Sequence, residues 1–219
     1  MDRDASAEQA SAPLKPSKQL EIVRDKDEVE RLAQAAYRAD QNRKSSSDIS
    51  VRPAPDGAEA VYYKGARIFS AKRVERTDVH PSGHIMILAQ LVGDGAVTKA
   101  EGVEYTEGQS LDPVGIWVFA DGQMRRITQP EGSTISAKFS PSGKRLAVSE
   151  YVQNENHQNV SVRCFVVDVA TGKSVRMGDA FSGDGPVCVG EWLSESTLRV
   201  FVTGEISLEQ AITYEIPSF

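Results

Sequence analysis

Very little of the chemistry that marks an enzyme or a metal protein is spelled out in this chain. Three histidines and two cysteines stand among 219 residues. Cys164 and Cys188 are too few for a structural zinc site of their own, and no histidine lies at ligand spacing from either. His80 and His84 are four apart, but a Pro-Ser-Gly turn separates them, so the spacing does not place them on one helix face. There is no G-x-S-x-G elbow, no phosphate loop and no dinucleotide fingerprint. The cofactor and metal expectation is therefore none, with no catalytic residue assigned. No run of eighteen apolar residues exists to span a bilayer. Basic residues are spread out and outnumbered, 25 against 31 acidic for a net charge of −6, so a nucleic-acid footprint is not expected. Met1-Asp2-Arg3-Asp4 is too polar to open an export signal. Two locations fit: the periplasm with the signal already removed, which we favour, or the cytoplasm.

What is present is a repeating grammar of short strands and turns, fullest between Ile135 and Met177. Ile135, Ala137 and Phe139 alternate with polar residues, the period of a strand with one covered face. Ser140-Pro141-Ser142-Gly143 supplies a preset proline angle and a left-handed glycine, the needs of a tight turn. Leu146, Val148 and Val152 mark the return strand, and 153–159 is a polar loop. Val160 to Asp168 is apolar at most positions, as in a strand buried on both faces. Ala170-Thr171-Gly172-Lys173 turns the chain into a fourth strand ending at Met177. Four antiparallel strands in about 40 residues is the size of one propeller blade.

Weaker echoes flank this unit. Ile49 to Val74 contains a turn at 53–57 and strands at Ala60–Tyr63 and Ala66–Ala71. Its basic residues, Lys64, Arg67, Lys72, Arg73 and Arg76, fit a charge-protected sheet edge. A second echo has the turn His80-Pro81-Ser82-Gly83, a strand to Leu91, then Gly115–Phe119, a hairpin turn at 120–123 and a closing strand to Thr128. The last unit has strands at Val187–Trp192, Leu198–Thr203 and Ala211–Ile216 but no fourth. Leu20 to Val23 is available to complete it from the other end of the chain. The turn residues Gly57, Gly83, Gly143 and Ser196 lie 26, 60 and 53 residues apart, against about 40–50 in a regular propeller.

Phe139 to Val148, followed by Cys164 to Gly172, resembles the blade repeat of TolB-like propellers. Residues 79–83 with 115–122 are similar to it. The family usually has aspartate where Ser82 and Ser142 stand, and only Asp56 matches. The WD dipeptide of the other large propeller class is absent. The resemblance implies an architecture that presents protein-binding surfaces, often in the bacterial periplasm.

The expected fold is therefore all-β, a small or incomplete propeller of about four blades with one short N-terminal helix. It could close as a four-bladed ring, stay open, or complete its ring as a homodimer. Residues 1–18 read as a flexible tail too polar to order itself. Residues 19–48 hold a strand and a helix capped by Asp25 or Asp27, with Val29, Leu32, Ala33 and Ala36 on one face, and 49–219 form the propeller-like domain. Cys164 and Cys188 fit either a disulfide between adjacent blades or two buried thiols. Trp117 and Trp192 fall inside strands, where core packing accounts for them.

Between Gly93 and Pro113 the strand grammar stops, and five carboxylates face Lys99 alone. Long insertions of this kind in compact domains are often binding loops. Glu101, Glu104, Glu107 and Asp112 are candidate contacts for a protein with a basic surface, and Tyr105 is a candidate aromatic anchor. The leading functional expectation is a non-enzymatic protein-binding module, most concretely a bacterial inhibitor or immunity-type protein that neutralises a toxin or secreted enzyme. Two alternatives stand beside it: an envelope-assembly or scaffold protein docking through its helix and tail, and a glycan-acting enzyme on a propeller.

Overall fold

A computed structural model describes residues 18–41, 48–55, 57–90, 114–127, 132–153, 160–177, 187–203 and 208–219. Residues 1–17 of the expected tail and the acidic segment 91–113 lie outside them, while Lys18, the last residue of that tail, opens the first strand. Among the described residues the chain forms fifteen strands and one helix. The strands make four antiparallel sheets, and their order along the chain is also their order in space.

Blade I is three-stranded, from β2 (Ile49–Pro53), β3 (Glu59–Tyr63) and β4 (Ala66–Ala71). Blade II is β5 (Arg73–Val79), β6 (Ile85–Gln90), β7 (Val114–Ala120) and β8 (Gln123–Arg126). Blade III is β9 (Gly132–Phe139), β10 (Arg145–Gln153), β11 (Val160–Asp168) and β12 (Ser174–Arg176). Blade IV takes β13 (Val187–Ser194), β14 (Thr197–Thr203) and β15 (Leu208–Glu215), and is completed by β1 (Lys18–Val23), which pairs antiparallel with β15. The amino-terminal strand thus supplies the fourth member that the last unit lacks. The result is an incomplete four-bladed propeller.

Period-two alternation explains how the blades hold together. Leu146 and Val148 on β10 face blade II with Phe139 of β9, meeting Met86, Ile116 and Val118. The intervening Ala147, with Cys164 and Val166 of β11, faces blade IV and meets Val200, Ile212 and Tyr214. Val61 and Ala71 of blade I pack against Ile85, Ile87 and Trp117 of blade II. Each sheet is therefore covered by its neighbour, and burial of these apolar faces is the main stabilising term. Trp117 is buried and tilts against Phe69 at 5.1 Å between ring centroids. Cys164 is buried and in no disulfide, which decides between the two cysteine readings for that residue.

The outer face of blade IV is covered by helix α1 (Lys26–Gln41). Asp25 caps it, its carboxylate accepting from the Glu28 backbone amide at 3.0 Å, which satisfies one of the orphan donors of the first turn. Val29 and Ala36 are buried against Phe201 and Ala211, with Leu32 and Ala33 beside them. The four residues of the expected apolar stripe thus sit where a further blade would stack. One strand escapes the sequence pattern altogether. β5 reads RVERTDV, and a bulge between Val74 and Arg76 breaks its alternation, so that Val74 and Val79, five residues apart, both reach the blade I–II core.

Candidate functional site

The proposed contact residues Glu101, Glu104, Tyr105, Glu107 and Asp112 all fall in 91–113, outside the described residues. The residues on either side of that segment are described. Gln90 and Val114 are partners across β6 and β7, so the segment leaves and re-enters the fold at adjacent points. Gln153 and Val160 stand in the same relation across β10 and β11, and Thr203 and Leu208 across β14 and β15.

These three connections emerge at one end of the molecule, because the first turns of blades II, III and IV are linked at the other. His84 Nδ1 is 2.9 Å from the Gly143 carbonyl oxygen, joining the turn of blade II to that of blade III. The His80 ring tilts against Phe139 at 5.5 Å and its Nδ1 is 2.9 Å from Ser82 Oγ. The Ser142 amide donates to the Glu195 carboxylate. Arg145 reaches the Glu195 carbonyl at 2.9 Å, which ties blade III to blade IV. Among the described residues, no group of three or more His, Cys, Asp and Glu is placed to hold a metal ion.

A second pair of contacts locks blades III and IV in their interior. Lys138 on β9 is buried, with Nζ donating to the Gly190 carbonyl at 2.5 Å. Trp192 Nε1 donates to the Lys138 carbonyl at 3.1 Å, so this tryptophan is a packing and linking residue.

A polar cleft with a buried charge lies between blades II and III. It has a volume of about 280 Å3 and is lined by Ile127, Glu150, Arg163, Phe165, Val167, Gly172, Ser174 and Arg176. Register explains the grouping. Glu150 is opposite Arg163, Phe165 is opposite Arg176, and Val167 is opposite Ser174, so all six share the face of blade III turned toward blade II. Glu150 is 1% exposed, and its Oε1 is 3.4 Å from Arg163 Nη2. A carboxylate at such depth is stable as an ion only beside a partner charge. Sequence reasoning passed over Glu150. The available signal was a charge in the inward series Leu146, Val148, Glu150.

A shallower groove runs along α1, lined by Glu30, Ala33, Gln34, Tyr37, Arg38 and Leu208. Tyr37 is 65% exposed there.

No protein-family model matches the chain. Among curated proteins it is similar to the DNA-directed RNA polymerase subunit beta' of Mycoplasma pneumoniae, 30% identical over 110 residues, or 48% of this chain and 8% of that protein. Among solved structures it is similar to the Cps50 (Swd1) β-propeller domain of Myceliophteria thermophila, with a TM-score of 0.42 and 13% identity over 84% of this chain and 55% of that one. TolB from Acinetobacter baumannii gives 0.34 and 13%, over 76% of this chain and 40% of that one. The β-propeller domain of the Trilobed protease from Pyrococcus furiosus gives 0.33 and 12%, over 78% and 65%. This chain spans less than two thirds of each of these proteins. The residues that carry the TolB-like resemblance, 139–148 and 164–172, form the first turn, the start of β10, the second half of β11 and the following turn of blade III.

Proposed function

We propose that this chain is a protein-binding propeller module, most concretely a bacterial inhibitor or immunity-type protein acting in the periplasm on a toxin or secreted enzyme. The observation that carries the reading is the mounting of the acidic segment. Its ends are adjacent on blade II, at the end of the molecule that also carries the connections of blades III and IV. Rigid sheets presenting loops at one end are a common way to build a recognition surface. Glu101, Glu104, Glu107 and Asp112 would meet a basic partner surface and steer encounter, with Tyr105 as the anchor.

The test is affinity capture of a partner, followed by association kinetics with Glu101→Lys, Glu104→Lys and Glu107→Lys combined. The expected result is association slowed about tenfold or more and a weaker dependence on salt. An unchanged association rate removes the segment from the account.

The scaffold reading is favoured by a different observation, the exposed Tyr37 beside the groove on α1. Deleting residues 1–42 would not isolate it, because that cut also removes β1 from blade IV and the helix that covers its outer face. Tyr37→Ala, which leaves the buried face of α1 intact, is the cleaner variant. Loss of partner binding in Tyr37→Ala with the charge-reversed segment still competent would favour docking through the helix.

A further inference from the structure

We infer that the cleft between blades II and III is a binding site for a small monocarboxylate with an apolar body. This goes beyond the protein-binding reading, since the cleft shares no residue with the acidic segment. Its lining carries two guanidinium groups, Arg163 and Arg176, and one carboxylate, Glu150. That is a local charge of one positive unit in a chain whose net charge is −6.

The two arginines have different tasks. Arg163 faces the buried Glu150 at 3.4 Å, so its charge is committed to holding that carboxylate. Arg176 lies across the register from Phe165, is exposed, and makes no ion pair among the described residues. Its planar fork suits a carboxylate through paired N–H bonds. Arg125, outside the lining, donates to the Ala170 carbonyl. Ile127, Phe165 and Val167 supply the apolar wall. The volume of about 280 Å3 falls just below the usual range of ligand pockets, roughly 300–1,000 Å3, which limits the ligand to the size of one ring or a short chain.

Glu150 selects the charge of the ligand. One positive unit is neutralised by a monoanion, whereas a phosphate dianion, the main form above about pH 8, would leave excess negative charge in a partly desolvated cleft. Specificity then comes from the charge left unmatched as much as from the pair formed.

The experiment is methyl NMR titration of the full chain, following Ile127 and Val167, with benzoate, benzamide and inorganic phosphate as probes. Benzoate is expected to shift both methyl sets with a millimolar or tighter constant, and benzamide and phosphate to bind at least about tenfold more weakly. Arg176→Ala, at an exposed position, should weaken benzoate by about tenfold or more while leaving the methyl spectrum of the other blades in place. Glu150→Gln should narrow the gap between benzoate and phosphate. No shift with benzoate, equal binding of benzamide, phosphate binding as tight as benzoate, or an unaffected Arg176→Ala would each overturn the assignment.

Discussion

Replacing Gly143 by alanine isolates the link between the turns of blades II and III. Gly143 is buried and has a φ of +74°. A Cβ there would lie 2.6 Å from Ser82 Oγ and 2.8 Å from His80 Cε1, and closer still to His80 Nδ1. His80 cannot simply swing away, because its ring rests on Phe139 and its Nδ1 accepts from the Ser82 amide at 3.1 Å. Gly83 is the control. Its φ is +92°, and a Cβ there meets no atom within 4 Å. Both alanines carry the left-handed backbone cost of about 1–2 kcal/mol. Only Gly143→Ala adds the displacement of the neighbouring turn, about 2 kcal/mol by comparison with overpacked cores. For a chain of this size that difference lowers Tm by about 4–8 °C more than Gly83→Ala does. Thermal and urea unfolding measure it. The companion test is a double-mutant cycle with His84→Ala, which should show coupling, since moving Gly143 disturbs the carbonyl that His84 contacts. Equal destabilisation by the two alanines, with additive His84 effects, would refute the reasoning.

Two further outcomes rest on buried polar groups. Burial, and secondarily Cys164 nearby, push the Tyr214 hydroxyl up to about 12, while an unfolded tyrosine ionises near pH 10. Between these values the unfolded chain has released a proton that the folded chain keeps. Stability contributed by the neutral phenol is thus complete below about pH 10 and falls by roughly 1.4 kcal/mol per unit until about pH 12. Urea unfolding across that range should show this extra slope in the parent and not in Tyr214→Phe; parallel slopes would contradict it. Lys138→Met removes the ammonium that bonds the Gly190 carbonyl across blades III and IV and is expected to cost about 1–3 kcal/mol. Lys144→Met, at an exposed turn position, should stay within about 0.5 kcal/mol of the parent, and a comparable loss in both would deny Lys138 its role.

The sequence by itself determined the strands and turns wherever burial falls on alternate residues. Leu146 and Val148 on one face and Ala147 on the other announce a sheet between two covers, and the Ser140–Gly143 turn announces the hairpin. The apolar stripe of α1 was equally legible, as was the lack of a fourth strand after Ile216. β5 was not, because a bulge between Val74 and Arg76 interrupts its alternation and charge fills most other positions, and only packing against blade I shows that Val74 and Val79 face a core. Tertiary structure alone decided how distant elements meet. The missing fourth strand of the last unit and the spare strand at Leu20–Val23 pointed to the pairing of β1 with β15, but its register across most of the chain length is set only in the fold. The covering of blade IV by α1 depends likewise on where Phe201 and Ala211 are brought. Glu150 and Arg176 come together only through the register of β10, β11 and β12, so the cleft and its charge exist in the fold and not in any stretch of residues.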